Sequence, residues 1–236
     1  MTKIEWTDKT WNPTTGCNKV SAGCKNCYAE IFAERLQAMG ANGYHAGFEF
    51  TVHPDRLELP KLWKKPARVF VNSMSDLFHE KMPIDFLFKV FETMRECPQH
   101  VFQVLTKRSD RMRALSLPLN WPANVWAGVS VENEAAATRI DDLRAVPAKV
   151  RFLSCEPLLG PLPELDLTGI HWVIVGGESG AAKRIRPLQP EWVRQIRDHC
   201  MESGVPFFFK QWSKPSPEHR NYGRILDGTE HNAFPE

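Results

Sequence analysis

Three cysteines, Cys17, Cys24 and Cys27, fall within eleven residues in the stretch WNPTTGCNKVSAGCKNCYAE, which runs from Trp11 to Glu30. Their C-x6-C-x2-C spacing reads as a ligand set. Two intervening residues let a turn aim both sulfurs of the second pair at one metal, and Gly16 and Gly23 relax the backbone beside the first two. A closed structural zinc site takes four ligands, whereas a 4Fe-4S cluster on three cysteines keeps one iron free to bind a substrate or cofactor. A cluster with an open iron is one reading. A zinc site completed by His45, His53 or His79 is another.

The remaining cysteines, Cys97, Cys155 and Cys200, are scattered, so the six do not form a secreted disulfide framework and are expected to be free thiols in a reducing compartment. A net charge of +2 excludes strong overall attraction to nucleic acid. The short basic clusters Lys61–Arg68, Lys107–Arg113 and Lys183–Arg186 read as solvated faces. The eight tryptophans fit core packing as readily as base stacking. No basic-then-apolar leader and no apolar run of membrane length is present, so a cytoplasmic, membrane-free protein is expected. With 236 residues and no Gly/Ser-rich or charged linker, the expectation is one domain over residues 1–236, with the cysteine loop at 16–28.

The elements that must position these thiols follow from periodicity. Thr10–Thr15 reads as a first strand. Asn26 reads as the N-cap of a helix whose apolar residues Tyr28, Phe32, Leu36 and Met39 form its inner face, up to a stop at Gly40. From Arg68 onward, apolar strands alternate with helices: VFVNS, a Pro83-started helix with Ile84, Leu87, Phe88, Phe91 and Met94 inward, and VFQVLT. A helix from Ser109 leads to VWAGVS, followed by a helix capped by Asn133. The strands VRFLS and WVIVGG, a helix from Pro190 to Ser203 stopped by Gly204, and VPFFFK complete the chain. Continuous apolar strands separated by helices predict a parallel sheet covered on both faces. Six to eight such units make a complete or partial (β/α) TIM-like barrel, with an open doubly wound sheet as the alternative.

Each strand turns polar at its carboxyl end, in NSMSDLFHE, LTKR, GVSVEN, LSCEP, GGESG and FKQW, and in α/β folds that edge binds ligands. A barrel would bring Asp76, Lys107, Ser130, Glu132, Glu156, Glu178 and Lys210 to one mouth facing the cysteine loop. Each also has a plain structural reading: Asp76 or Asn133 as a helix cap, Lys107 as a carboxylate's partner, Glu156 as a loop anchor.

The segments IEWTDKTWNPTTGC, SAGCKNCYAE, VNSMSDLFHE, VLTKR, NVWAGVSVEN, RFLSCEPLLGPL, VIVGGESG and VPFFFKQW together closely resemble a phage-associated family of radical-SAM-like, three-cysteine-motif proteins, nearly end to end. The resemblance implies a TIM-barrel-like fold, a 4Fe-4S cluster on Cys17, Cys24 and Cys27, and binding of S-adenosylmethionine. On that basis Ser73, Ser75 and Asp76 are candidates for the cofactor's amino group and Ser130, Glu132 and Asn133 for its ribose. Lys107 or Lys210 would hold a carboxylate or a substrate phosphate, and Glu156 would act beside them. Cys155 is either a hydrogen-atom donor or a buried thiol that happens to end a strand. The motif departs from the usual C-x3-C-x2-C with an aromatic residue before the third cysteine, since that position here is Asn26. The sequence Gly176-Gly177-Glu178 occurs after a later strand than in those enzymes, with Glu178 a further cofactor-binding candidate. A radical enzyme would need an external electron donor. Its substrate could be a nucleic-acid base, in a bacterial or phage-infected host cell. The family association also implies a further reading, a structural or sensory cluster in an interaction protein that works with a three-cysteine-motif partner protein.

Overall fold

The computed structural model describes residues 4–179, 184–213 and 223–236, so Lys183 of the third basic cluster lies outside the described residues. Strand β1 (Lys9–Trp11) is followed by β2 (Thr14–Thr15), the cysteine loop, helix α1 (Tyr28–Ala38) and β3 (Thr51–Val52). Then come β4 (Arg68–Val71), α2 (Ile84–Arg95), β5 (Val101–Thr106), α3 (Ser109–Ser116), β6 (Val125–Ser130), α4 (Arg139–Arg144), β7 (Arg151–Cys155), β8 (Trp172–Gly176), α5 (Pro190–Glu202) and β9 (Phe207–Gln211). A hairpin, β10 (Ile225–Leu226) with β11 (Thr229–Glu230), ends the series.

Seven strands form one parallel sheet in the order β1-β4-β5-β6-β7-β8-β9. The strands of this sheet stand in the order in which the chain forms them and that order never reverses, so the doubly wound alternative is excluded. Alternation of side chains across the sheet gives the same answer. Val69, Val104, Val129, Leu153, Val173 and Phe209 pack with Leu87, Phe91, Met112, Leu143, Val193 and Ile196, so the residues of α2, α3, α4 and α5 all lie on one face. The opposite face gathers Trp6, Phe70, Phe152, Trp172, Ile174 and Phe208 into a second cluster. A sheet with helices on one face and an aromatic filling on the other is a curled half-barrel, the partial TIM-like form. Among the described residues, no helix is long and apolar enough to cross a membrane.

Several elements differ from expectation. The stretch Thr10–Thr15 is two strands: β1 pairs with β4, and beyond Pro13 the chain leaves the large sheet to pair β2 with β3. Helix α1 is capped at Cys27, not Asn26, and Asn26 Nδ2 donates to Glu178 and to the Arg184 carbonyl. Its inward face is also not the apolar stripe. Ala29 and Ala33 are buried on Met74, Tyr44 and Phe48, while Tyr28, Phe32 and Met39 are 48%, 49% and 78% exposed. In α2, Ile84 and Phe88 are exposed where an inner face was expected, and Phe86 and Val90 are buried. Asn133 makes no side-chain cap. The helix expected there is a 3-10 turn, Glu134–Ala136, followed by α4. As the consecutive strands VRFLS and WVIVGG implied, no helix joins β7 to β8; Leu158, Leu162, Leu165 and Leu167 of the connecting loop fill that place in the core.

Candidate functional site

The cysteine loop hangs on the carboxyl edge of the sheet through its backbone. Gly16 N–H donates to the Met74 carbonyl at 2.9 Å, Ser75 Oγ donates to the Gly16 carbonyl at 2.7 Å, and Cys17 N–H donates to Phe48 O at 3.1 Å. Cys24 ends a 3-10 turn and Cys27 caps α1. These three cysteines are half-buried, whereas Cys97, Cys155 and Cys200 are fully buried.

Cations and carboxylates both approach the three thiols. Arg108 Nη1 donates to Cys17 Sγ at 3.5 Å, and Lys19, paired with Glu30, is close enough to Cys24 and Cys27 to feel both. Cys27 sits at the positive end of a helix. Burial, then the charge of Asp76, pushes the Cys17 thiol up to about 11, so a metal must displace its proton to bind there. Donor type and half-burial fit the thiolate ligands of an iron-sulfur cluster. Among the described residues, no group of three or more Cys, His, Asp or Glu side chains, the three cysteines included, stands at the spacing that would hold a metal ion. The histidines proposed as a fourth zinc ligand are engaged or apart: His53 Nε2 is 2.7 Å from Thr15 Oγ1, His79 stacks on Phe50, and His45 is exposed.

Four carboxylates lie at the same rim. Asp76 is buried and accepts from Phe78 N–H and Thr106 Oγ through Oδ1, and from Lys107 N–H and Arg108 Nη1 through Oδ2, at 2.7–3.1 Å. Glu132, 1% exposed, accepts from Ser21 Oγ at 2.6 Å and Arg139 Nη1 at 2.8 Å, with Lys107 Nζ at 3.4 Å. Glu178 accepts from Asn26 Nδ2 at 3.0 Å, from Arg186 N–H and Nε, and from Arg186 Nη2. Burial raises the carboxyl pKa of both glutamates. Lys107, Ser21 and Arg139 outweigh it for Glu132, and the Arg186 and Asn26 hydrogen bonds for Glu178, so both end below the usual range.

The fourth carboxylate is different. Glu156 Oε2 accepts from Ser154 Oγ at 3.2 Å, but Oε1 is buried with no hydrogen bond, although Lys210 Nζ lies 3.0 Å away. Lys210 neutralises that oxygen from outside hydrogen-bonding geometry.

Other candidates have narrower places. Ser73 Oγ donates to Asn12 Oδ1, so its proton, like that of Ser75, is spent on the scaffold. Ser130 is buried, its carbonyl bonded to Arg139, and Asn133 is half-buried beyond it. Cys155 is not at the mouth. It points into the helix-side core, and burial, then Cys200, raises its thiol pKa, so it is removed from the catalytic candidates. Residues the sequence reading missed include Tyr28, whose ring edge is exposed while its hydroxyl is buried against the Ser73 carbonyl. Arg108, Arg139 and Arg186 were missed too. The basic clusters around Arg108 and Arg186 were read as solvated faces, yet both side chains turn inward to carboxylates. Two open cavities, of about 720 and 400 Å³, lie at the opposite edge around Trp63 and Pro206 and do not touch this rim.

A family model described as "Protein of unknown function (DUF5131)" matches residues 1–235. The chain belongs to this family. No curated protein matches the DUF5131 chain. Two solved structures are similar to it. One is a doubly substituted spore photoproduct lyase with bound AdoMet and dinucleoside spore photoproduct, at 11% identity over 86% of this chain and 76% of that one, with a TM-score of 0.49. The other is spore photoproduct lyase complexed with dinucleoside spore photoproduct, at 13% identity over 78% of this chain and 58% of that one, with a TM-score of 0.41.

Proposed function

We propose that this DUF5131 protein carries a 4Fe-4S cluster on Cys17, Cys24 and Cys27 and acts as a radical S-adenosylmethionine enzyme. One observation carries the reading: three half-buried thiols share the carboxyl edge of a half-barrel with lysines and carboxylates from successive strands. Cluster and cofactor together would supply one-electron cleavage of a sulfur–carbon bond and hydrogen-atom abstraction.

The chain's own part is orientation and exclusion of water. Lys107 and Lys210, 20% and 23% exposed, present ammonium groups to an anionic part of a ligand. Glu156, 3.0 Å from the Lys210 ammonium, would hold that group in place at the rim. Ser130 and Asn133 flank that position along the rim, and the aromatic cluster beneath closes the floor. A nucleic-acid-related substrate, an external electron donor and a cytoplasmic setting complete the proposal. A second reading, an interaction or sensor protein working with a three-cysteine-motif partner, is favoured by the outward apolar stripe of α1.

Protein purified without oxygen should be brown and, after reconstitution, hold about four irons and four sulfides per chain. Replacing the three cysteines with alanine should abolish both. Incubation with dithionite and S-adenosylmethionine should yield 5'-deoxyadenosine and methionine. Stoichiometric zinc without labile sulfide would end the cluster reading. A loaded cluster that neither binds nor cleaves the cofactor would end the radical one and favour the sensor.

A further inference from the structure

Three carboxylates of the rim come from alternate strands of the sheet, and their hydrogen-bond chains end at Cys17, at Cys24 and at Asn26, the residue before Cys27. Asp76, after β4, holds Arg108, whose guanidinium donates to Cys17 Sγ and to the Asn18 carbonyl. Glu132, after β6, holds Ser21, whose hydroxyl is 3.8 Å from Cys24 Sγ, and packs so closely on Gly23 that a Cβ there would meet Oε1 at 2.4 Å. Glu178, after β8, holds Asn26, the residue before Cys27, and Arg186, which reaches on to the Ala22 carbonyl at 2.9 Å. The intervening strands β5, β7 and β9 supply Lys107, Glu156 and Lys210.

A carboxylate offers about four lone-pair sites. Asp76 and Glu178 accept that many hydrogen bonds, and Glu132 is closed by a hydroxyl and two cations. Asp76, with two acceptances at each oxygen, has no lone pair left for a cofactor's amino group or ribose, and the other two spend most of theirs on the loop and its cations. We propose that Asp76, Glu132 and Glu178 are positioning residues, three struts that each fix one cysteine and so set the spacing of the three sulfurs. The proposal rests on reading the three cysteines as one ligand set, and it extends that reading to what holds them apart before any metal arrives.

The test uses the full chain, metal-free and anaerobic, with Co²⁺ alone as the probe and its sulfur-to-metal charge-transfer absorption as the readout. Ser21→Ala and Glu132→Ala should each weaken cobalt binding by about tenfold or more, the usual effect of losing an outer-shell partner. The double variant should bind no worse than the weaker single, because both remove one strut. Asn26→Ala and Glu178→Ala form the second such pair. Asp8→Asn, at the opposite edge, should leave affinity unchanged. Since a glutamate variant can lose stability, Ser21→Ala and Asn26→Ala test the same struts from the half-exposed loop. Wild-type affinity in these loop variants, strictly additive losses that follow a fall in melting temperature, or a wild type that binds no cobalt through its thiols would overturn the proposal. Iron and sulfide content decides the cluster separately: strut-dependent cobalt binding in a chain that takes up no cluster would refute the radical enzyme and leave the struts standing.

Discussion

At Gly16 the backbone holds φ +80°, and a Cβ there would stand 2.0 Å from the Glu49 carbonyl oxygen, so conformation and space both demand glycine. Gly16→Ala should cost about 1–3 kcal/mol for the backbone conformation alone, with more for the displaced Glu49 carbonyl. It should also lower the iron content of anaerobic protein, because Cys17 is carried by the same backbone. An unchanged denaturant midpoint would show that the loop is built differently. Acid should act on the neighbouring carboxylates. Glu132 and Glu178 have folded pKa values below the 4.5 of an ordinary glutamate. The stability they contribute is therefore fully present above about pH 4.5 and is lost as pH falls through their folded values. In metal-free protein, Glu132→Gln and Glu178→Gln should flatten the fall in unfolding free energy between about pH 5 and 3; a slope as steep as wild type would assign the acid sensitivity to other groups. The cysteines were legible at this scale because ligand spacing is local. Their supports were not: Arg108, Glu132 and Glu178 reach the loop across 91, 111 and 152 residues, and nothing in a single sequence marks such pairs.

Among the elements, strands and most helix limits could be read directly, because apolar runs, Pro190 and Gly204 act within a few residues. Which face of a helix turns inward depends on what it meets. Helix α1 has its larger apolar residues on one stripe, yet it docks through Ala29 and Ala33, because small side chains permit close approach to Met74. The two faces should respond oppositely to substitution. Ala33→Leu, at a position with no exposure, should cost about 1–3 kcal/mol by overpacking. Phe32→Ser should change stability by no more than about 0.5 kcal/mol, as for most surface positions. Chemical denaturation of the two variants checks this, and the reverse order of effects would put the stripe inward. The loop between β7 and β8 shows the same limit in another form. The sequence of consecutive strands left no helix between them, but the buried leucines carry no period, so their place in the core could not be read from their spacing.

At the scale of the molecule, an open half-barrel must close its concave face without an eighth strand, and it does so with aromatic rings from both ends of the chain. Trp172 contacts Trp6, Trp126, Phe152, Phe208 and Phe234, and its indole N–H donates to the Ala233 carbonyl at 2.8 Å. Phe234 also packs on Phe208 and lies under the Arg68 guanidinium, so it links β4 on one side with β8 and β9 on the other. The early and late segments were legible as sequence but not as a floor, since their rings meet only once the sheet curls. Gly128 shows how tightly the layer fits: a Cβ there would come within 2.4 Å of the Phe152 ring. The polar mouth stands directly on this layer, so loosening the floor should reach the rim. Trp172→Ala, at a fully buried site, should cost about 3–5 kcal/mol, and Phe234→Ala, half-buried, about 1–2 kcal/mol. If the aromatic layer supports the rim, Phe234→Ala should also speed alkylation of the mouth thiols Cys17, Cys24 and Cys27 under conditions where the chain remains folded, while Cys97, distant in the helix-side core, stays protected. Alkylation followed by peptide mass mapping reads the two sets separately. Equal acceleration at Cys97 would mean global unfolding, and no acceleration at the mouth would mean that floor and rim are mechanically independent.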